Sequence, residues 1–375
     1  MSASRYSGLR VGFIGGGQLA RMAVYRTKKL GLNFFALDPD PQCGVAGLVD
    51  QLLVGSLYDE TKLRQLAELS DVLTYDIEHV GVEALSRLEA EGVKIFPSPQ
   101  VLAILQDKVE QKKLYLRHGL PVAPFVSKTW SELTPSDLPV VQKSRRGGYD
   151  GRGVAVVRSL ESEPKLSGET FFEEFVPFER ELAVMVARAQ DGQTVVYPVV
   201  EMLFDPQLNI CDEVLAPARV SPELSRLAST LALEAVQAVN GVGVFGVELF
   251  LTLEGKLLVN EMAPRPHNSG HYTMEACQVC QFENHLRAVC GLPLASPSFF
   301  TPAVMANLLG SGSGKTVVSG LDQALALDGF SLHLYGKAQC RSGRKMGHFT
   351  VTAPTAEEAL ERCREVKRYL KVTGA

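Results

Sequence analysis

Two acidic residues sit where acids are costly, Glu248 within VGVFGVELFL and Glu261 within LLVNEMAP. A β-rich run from Val244 to Leu253, a Glu254-Gly255 turn and a second run from Lys256 to Met262 predict a hairpin. One carboxylate then falls on each strand, with Asn260 beside the second. A buried carboxylate needs a positive partner, and oxygen donors on adjacent strands suit Mg²⁺, a hard cation often shared with nucleotide phosphates. Arg265, His267, Asn268, Ser269 and His271 follow on a Pro- and Gly-rich loop, a concentration of donors suited to an anion.

Two other stretches carry positive charge on turns. SRRGGYDGRGV has glycines at 147, 148, 151 and 153 and arginines at 145, 146 and 152. Such a loop brings backbone and cations close to a ligand, as a flap over nucleotide phosphates would. HLYGKAQCRSGRKMGHFT places Lys337, Arg341, Arg344 and Lys345 within nine residues, a set of forks and ammonium groups suited to a substrate phosphate. A third turn, GGGQLARM, lies between a strand ending at Ile14 and a helical pattern reaching Leu30. The strand-like NFFALD follows and ends at Asp38. Alone, Gly15, Gly17, Ala20 and Asp38 fit a dinucleotide fingerprint, although a glycine turn at a helix N-terminus cradles any phosphate or polar ligand.

The elements that must position these groups divide the chain. With 375 residues, two or three domains are expected. Residues 1–97 read as a parallel α/β domain, closed by Pro97 and Pro99. Residues 98–292 begin with the helical QDKVEQKKLYLRHG, continue through a strand at Pro139–Lys143 and a strand ending in EEFV, and pass along a helix from Ser221 to Asn240 into the hairpin. One helix, MEACQVCQFENHLRAVCG, is expected to close this part. Residues 293–375 hold a linker from Pro293 to Pro302, short strands around Val304, Leu332 and Phe349, and an amphipathic helix from Thr355 to about Leu370.

Composition excludes some classes. With 46% apolar and 21% charged residues and a formal charge of −4, nothing favours a nucleic-acid or membrane partner. No apolar run has transmembrane length and MSASRYSGLR lacks an apolar signal core, so the cytoplasm is the expected compartment. Seven scattered cysteines fit reduced thiols. LGSGSGKT, Leu309 to Thr316, is one residue short of a P-loop. Cys277 and Cys280 have no second pair to complete a zinc site and read as buried helix thiols. Asn-Ser-Gly between His267 and His271 disfavours the helical face a zinc pair needs.

GGGQLARM, TYDIEHV, QDK, RRGGYDGRG, EEFV, GVFGVELF, NEMAPRPHNSGHYT and GRKMGH, in this order over nearly the whole chain, closely resemble the N5-carboxyaminoimidazole ribonucleotide synthetase family of ATP-grasp enzymes. The resemblance implies a Rossmann-like N-terminal domain, an ATP-grasp domain of two α+β lobes and a small β-rich C-terminal domain. It also implies ATP and Mg²⁺ as cofactors and a homodimer. The implied reaction joins bicarbonate to 5-aminoimidazole ribonucleotide through carboxyphosphate, releasing ADP and phosphate. Carried over by residue, ATP would meet Lys108, Lys143, Gly148, Tyr149, Asp150, Gly151, Arg152, Gly153, Val154, Glu173, Glu174, Phe175, Val176, Glu181, Asn260 and Glu261, with Glu173 to Val176 as adenine hinge and Glu181 on the ribose. Glu248 and Glu261 would hold Mg²⁺.

The ribonucleotide is expected at the meeting of the three domains, with Gly15, Gly16, Gln18 and Leu19 from the first, Tyr149, Asp150 and Arg152 from the flap, and Lys337, Arg344 and Lys345 from the last. Asp150 would orient the amine or take its proton, and Arg265, His267 and Asn268 would position bicarbonate. Asp38 becomes an ordinary strand-end acid. The chain departs from the family at Ala20, where Gly is usual, at Asp76 and His79, which replace Glu and Asn, and around Leu203, which lacks a histidine that some members carry. The competing readings are an NAD-dependent oxidoreductase, which leaves GGYDGRG and the hairpin acids unexplained, a non-catalytic nucleotide-binding module, and an ATP-grasp ligase using formate or another amine.

Overall fold

The computed structural model describes residues 8–126, 128–148, 153–161, 164–205 and 210–375. Its N-terminal part is a four-stranded parallel sheet of β1 (Arg10–Ile14), β2 (Asn33–Asp38), β3 (Gln51–Val54) and β4 (Val72–Tyr75), in the order β3-β2-β1-β4. The helices α1 (Gln18–Thr27), α2 (Glu60–Leu69) and α3 (Val82–Ala90) connect these strands and follow the last. β1 and β4 are buried along almost their whole length, as strands covered on both faces must be.

Next come α4 (Pro99–Leu105) and α5 (Lys108–Arg117), each opened by a side-chain cap, Ser98 on the Val101 amide and Asp107 on those of Val109 and Glu110. A small antiparallel sheet is built from β5 (Phe125–Val126), β6 (Val140–Ser144), β7 (Val154–Val157) and β8 (Thr170–Glu174).

The central sheet has twelve strands: β9 (Phe178–Arg188), β10 (Thr194–Val196), β11 (Val200–Asp205), β12 (Ile210–Ala216), β13 (Gly243–Thr252), β14 (Leu257–Ala263), β15 (Ala303–Ser311), β16 (Ser313–Ser319), β17 (Phe330–Leu334), β18 (Gln339–Arg341), β19 (Lys345–Thr352) and β20 (Lys371–Gly374). Five further helices attend it: α6 (Pro222–Val239), α7 (Thr273–Ala276), α8 (Gln281–Val289), α9 (Leu321–Leu325) and α10 (Ala356–Tyr369). α6 starts at a Ser221 cap with Pro222 in its first turn and stops where Asn240 turns left-handed at φ 52°. It packs with α5 against β9, β13 and β14, in a core that includes Tyr115, Leu231, Val236, Phe245 and Val247. α7 and α8 cover the opposite face.

Three features differ from the sequence-based expectation. The segment after Thr273 is two helices: Cys277 ends α7 and Cys280 precedes α8, so these thiols flank a break instead of lying within a helix. The C-terminal strands continue the central sheet through β12 and β15, Glu213 to Ala216 pairing with Ala303 to Ala306. Leu309–Thr316, by contrast, agrees with its rejection as a P-loop: it is the end of β15, the Gly312 turn and the start of β16, with no helix to receive a phosphate. Asp38 is more than a strand-end acid, because it accepts the Gly16 amide at 2.7 Å and the Asp40 amide at 2.9 Å.

α8 joins the N-terminal part to the centre. Phe282, Leu286 and Val289 pack with Leu19, Met22 and Ala23 of α1. Beside them His285 takes the Val244 amide of β13 on Nδ1 at 3.1 Å and meets Thr74 Oγ1 of β4 with Nε2 at 3.0 Å. The backbone donor leaves Nδ1 bare, so Nε2 carries the proton, and burial lowers the imidazole to about 3. His285→Ala strands the buried Val244 amide and opens a cavity, for an expected loss of about 2–4 kcal/mol. Urea unfolding should show a lower midpoint at unchanged slope, and a loss below about 1 kcal/mol would mean that the pin is not needed.

Candidate active site

One cavity of about 1590 Å³ runs from the glycine turn of the N-terminal part, across the β13–β14 hairpin, to the basic turn before β19. Glu248 and Glu261 are directly opposed in the β13–β14 register, so both side chains leave the sheet on one face. Burial first, then the charges of Glu261 and Glu181, push the Glu248 carboxyl above its ordinary value. Burial alone would raise Glu261 too, but Lys108, bonded to its Oε2, outweighs that and holds it charged. Glu181, on β9, is pushed up to about 7, chiefly by burial. Acids forced together in this way form a site that gains from a cation.

Lysines frame the acids. Lys143 on β6 reaches Asn260 Oδ1 at 3.0 Å and Glu173 Oε2 at 2.8 Å. Lys112 on α5, one turn after Lys108, takes the other Glu173 oxygen at 2.8 Å. Burial favours a neutral Glu173, yet the two ammonium groups outweigh it and keep the carboxylate charged. Gln111 fixes the hairpin from the same helix, its amide accepting from the Met262 N–H and donating to the Met262 carbonyl, both at 3.1 Å.

The loop after β14 closes the site. His267 Nδ1 takes the Ser269 amide at 3.4 Å, which leaves the proton on Nε2, 3.5 Å from Glu248 Oε1. Burial, then the charges of Arg265 and Lys345, lower His267 to about 4, so the ring is neutral at pH 7. Its approach requires Gly246, where a Cβ would fall 2.5 Å from that of His267. Arg265 pairs with Glu78 of the N-terminal part at 2.8 Å. Asn268 exchanges two side-chain hydrogen bonds with Asn307 of β15, at 2.9 and 2.8 Å.

Three family models match the chain in order. They are the ribonucleotide synthetase preATP-grasp domain over residues 9–106, the ATP-grasp domain over 113–282, and the phosphoribosylaminoimidazole carboxylase C-terminal domain over 303–362. The chain is 42% identical to the N5-carboxyaminoimidazole ribonucleotide synthase of Synechococcus elongatus, over 96% of this chain and 93% of that protein. It belongs to the N5-carboxyaminoimidazole ribonucleotide synthase family of ATP-grasp ligases.

The crystal structure of the Thermotoga maritima synthetase superposes with a TM-score of 0.91 at 46% identity, covering 98% of this chain and 100% of that one. The Aspergillus clavatus synthase, solved with ADP and 5-aminoimidazole ribonucleotide, superposes at 0.87 and 36% identity, covering 97% and 98%. Relatives named phosphoribosylaminoimidazole carboxylase are longer, the chain spanning 63 to 69% of their length.

Measured against the residues expected for this family, the cavity lining includes Gly15, Gln18, Leu19, Lys108, Lys143, Gly148, Val154, Glu173, Glu174, Phe175, Val176, Glu181, Glu248, Asn260 and Glu261. Arg265, His267, Asn268, Lys337, Arg344 and Lys345 line it as well. Gly16 does not, its amide being turned to Asp38. Gly153 takes a left-handed turn at φ 81° and bonds through its carbonyl to the Ser144 amide. Tyr149, Asp150, Gly151 and Arg152 lie outside the described residues.

Three expectations need refinement. Arg145 and Arg146 do not stand ready for phosphate, since both pair with the buried Asp107, at 2.9 and 3.1 Å. The Glu173 side chain is held by its two lysines, so only the backbone at that position is left for a ligand. The glycine turn is not an open anion cradle, because Asp38 takes the Gly16 amide and Asp76 that of Ala20. Burial raises Asp76 to about 6, with the Ala20 amide opposing.

Lys112, Gln111, Asp107 and Gln281 escaped sequence reasoning. The spacing of Asp107, Gln111 and Lys112 near a helix start was visible, but polar residues there usually face water. Lys112→Met leaves a buried carboxylate with one partner and should cost about 3–5 kcal/mol by chemical denaturation. Adding Glu173→Gln should recover part of that loss, and strict additivity of the two changes would show that they do not interact.

Proposed function

We propose that this chain carboxylates 5-aminoimidazole ribonucleotide with bicarbonate at the expense of ATP, giving the N5-carbamate, ADP and phosphate. The observation that carries the reading is the single cavity in which the opposed acids, the lysines and the basic C-terminal turn all meet. Bicarbonate oxygen attacks the γ-phosphorus and ADP leaves. Carboxyphosphate then releases phosphate and CO₂, and the aminoimidazole amine adds to CO₂ and loses its proton.

Phosphoryl transfer is largely a matter of placing charge. Lys108 and Lys143 lie at the hairpin, where they would meet the nucleotide phosphates, and Glu173 to Val176 provide an edge for the base. Arg265, the Nε2–H of His267 and Asn268 would hold bicarbonate next to the acids. The domains are taken as residues 1–97, 98–292 and 293–375, with the ribonucleotide where they meet: Gly15, Gln18 and Leu19 on one side, Lys337, Arg344 and Lys345 on the other. Asp150, outside the described residues, is assigned to the amine.

Glu248 and Glu261 would hold Mg²⁺, with Asn260 alongside. The fit rests on two carboxylates facing each other in register, one of them driven toward its neutral form by desolvation and then by the other's charge. When bound, the ion neutralises phosphate oxygens and polarises the γ-phosphorus. Among the described residues no helix is long and apolar enough to cross a membrane. A cytoplasmic location and a homodimer are proposed with the function, the dimer to be checked by sedimentation.

ADP release measured with the ribonucleotide and bicarbonate omitted in turn tests the reaction, and release that needs neither would overturn it. Glu248→Gln and Glu261→Gln should each abolish turnover in a folded protein. Near-normal activity in both at ordinary Mg²⁺ would rule out the metal assignment. Lys345→Ala should raise KM for the ribonucleotide with ATP affinity nearly unchanged. If it weakened only ATP binding, the basic turn would belong to the nucleotide instead.

A further inference from the structure

Gln281 opens α8, is fully buried, and has no charge. Its Oε1 accepts the His267 amide at 2.9 Å and its Nε2 donates to the His267 carbonyl at 2.9 Å. One side-chain amide thus pairs with both polar backbone groups of one residue, as a neighbouring strand would. The arrangement fixes the orientation of the amide, since an N–H must meet an oxygen and a carbonyl must meet the NH₂.

The second Nε2 proton faces His271 Nδ1 at 3.0 Å. An amide nitrogen donates and does not accept, so Nδ1 is bare and the proton of the neutral ring lies on Nε2. The polar atom that His271 has left is a donor. The ring is packed between Phe282 at 5.6 Å and His348 at 4.7 Å, and is buried among groups that disfavour its charge.

The neighbourhood is built around this amide. A Cβ on Gly270 would fall 2.5 Å from Gln281 Oε1, so only glycine lets the loop close on it. Thr273 Oγ1 takes the Gln281 backbone N–H at 3.0 Å and donates to the Gly270 carbonyl at 2.6 Å. Gln111 grips Met262 in the same two-point manner on the other side of the acids. The loop carrying Arg265, His267 and Asn268 therefore runs between two glutamine clamps.

We propose that Gln281 is a positioning residue: it sets His267 against the acidic pair and holds His271 as the Nε2–H tautomer, so that the loop presents donors to the anion it binds. The inference deepens the carboxylation reading and rests on it for the anion, while the tautomer is a property of the protein alone.

Imidazole ¹⁵N NMR of the wild type, with His271→Gln used to assign the signal, should show His271 protonated on Nε2. An Nδ1–H signal overturns the proposal whatever the variants do. Gln281→Glu keeps the shape and an acceptor but loses the donors, and should move the His271 proton to Nδ1. In steady state Gln281→Glu and Gln281→Met should lower kcat by about tenfold or more while KM for ATP stays within about twofold. A merely structural role would weaken ATP binding together with turnover, and that result, or a folded Gln281→Glu with unchanged kcat, also overturns it. Wild-type protein whose ADP release ignores ribonucleotide and bicarbonate would sink the functional reading instead, and the tautomer would still be read.

Discussion

Two carboxylates opposed on one face of a buried hairpin are the constraint around which this molecule is arranged. In water Glu248 and Glu261 would each be charged at little cost. In register at the base of a cavity they repel each other, and burial drives Glu248 toward its neutral form. Cations must therefore be supplied, and α5 and β6 supply them. Lys108 lies on Glu261, and Lys143 reaches Asn260 while sharing Glu173 with Lys112. The chain of alternating charges extends to Asp107, which caps α5 and holds Arg145 and Arg146 at the entrance to the glycine-rich loop. Positive groups expected to wait for phosphate are thus already employed in the protein by itself, and phosphate binding becomes an exchange of partners.

The same constraint explains the loop after β14. A neutral His267 beside Glu248 adds no charge to a crowded site and offers an N–H. Beside the Arg265–Glu78 and Lys108–Glu261 ion pairs, two backbone clamps hold the loop and its strand: Gln111 on Met262 and Gln281 on His267 give fixed geometry without further buried charge. α8 links this geometry to the N-terminal part through His285 and the packing of Phe282 and Leu286 on α1.

Much of this was legible in the sequence because it depends on local pattern. The hairpin followed from two β-rich runs and a Glu-Gly turn, and appears as β13 and β14. The helix from Ser221 to Asn240 was marked by its cap and stop. The rejection of the P-loop held, since Leu309–Thr316 is strand and turn. Periodicity misled after Thr273, where apolar spacing ran on through Cys277 and Cys280. The break lies where Gln278 bonds to Ser298 and Gln281 to Thr273, contacts that helical spacing cannot reveal.

The sequence by itself determined which residues could do chemistry and the hairpin that carries the two acids, because side-chain type and a turn between two β-rich runs are local. Family membership was also legible, since the order of eight motifs survives without any structure. Tertiary structure alone decided which charges are free. Asp107 and Arg145, Arg265 and Glu78, and Lys112 and Glu173 are far apart in the chain, and only folding brings each pair within 3 Å. Electrostatic energy depends on distance through space and on burial, and neither is written in the order of residues.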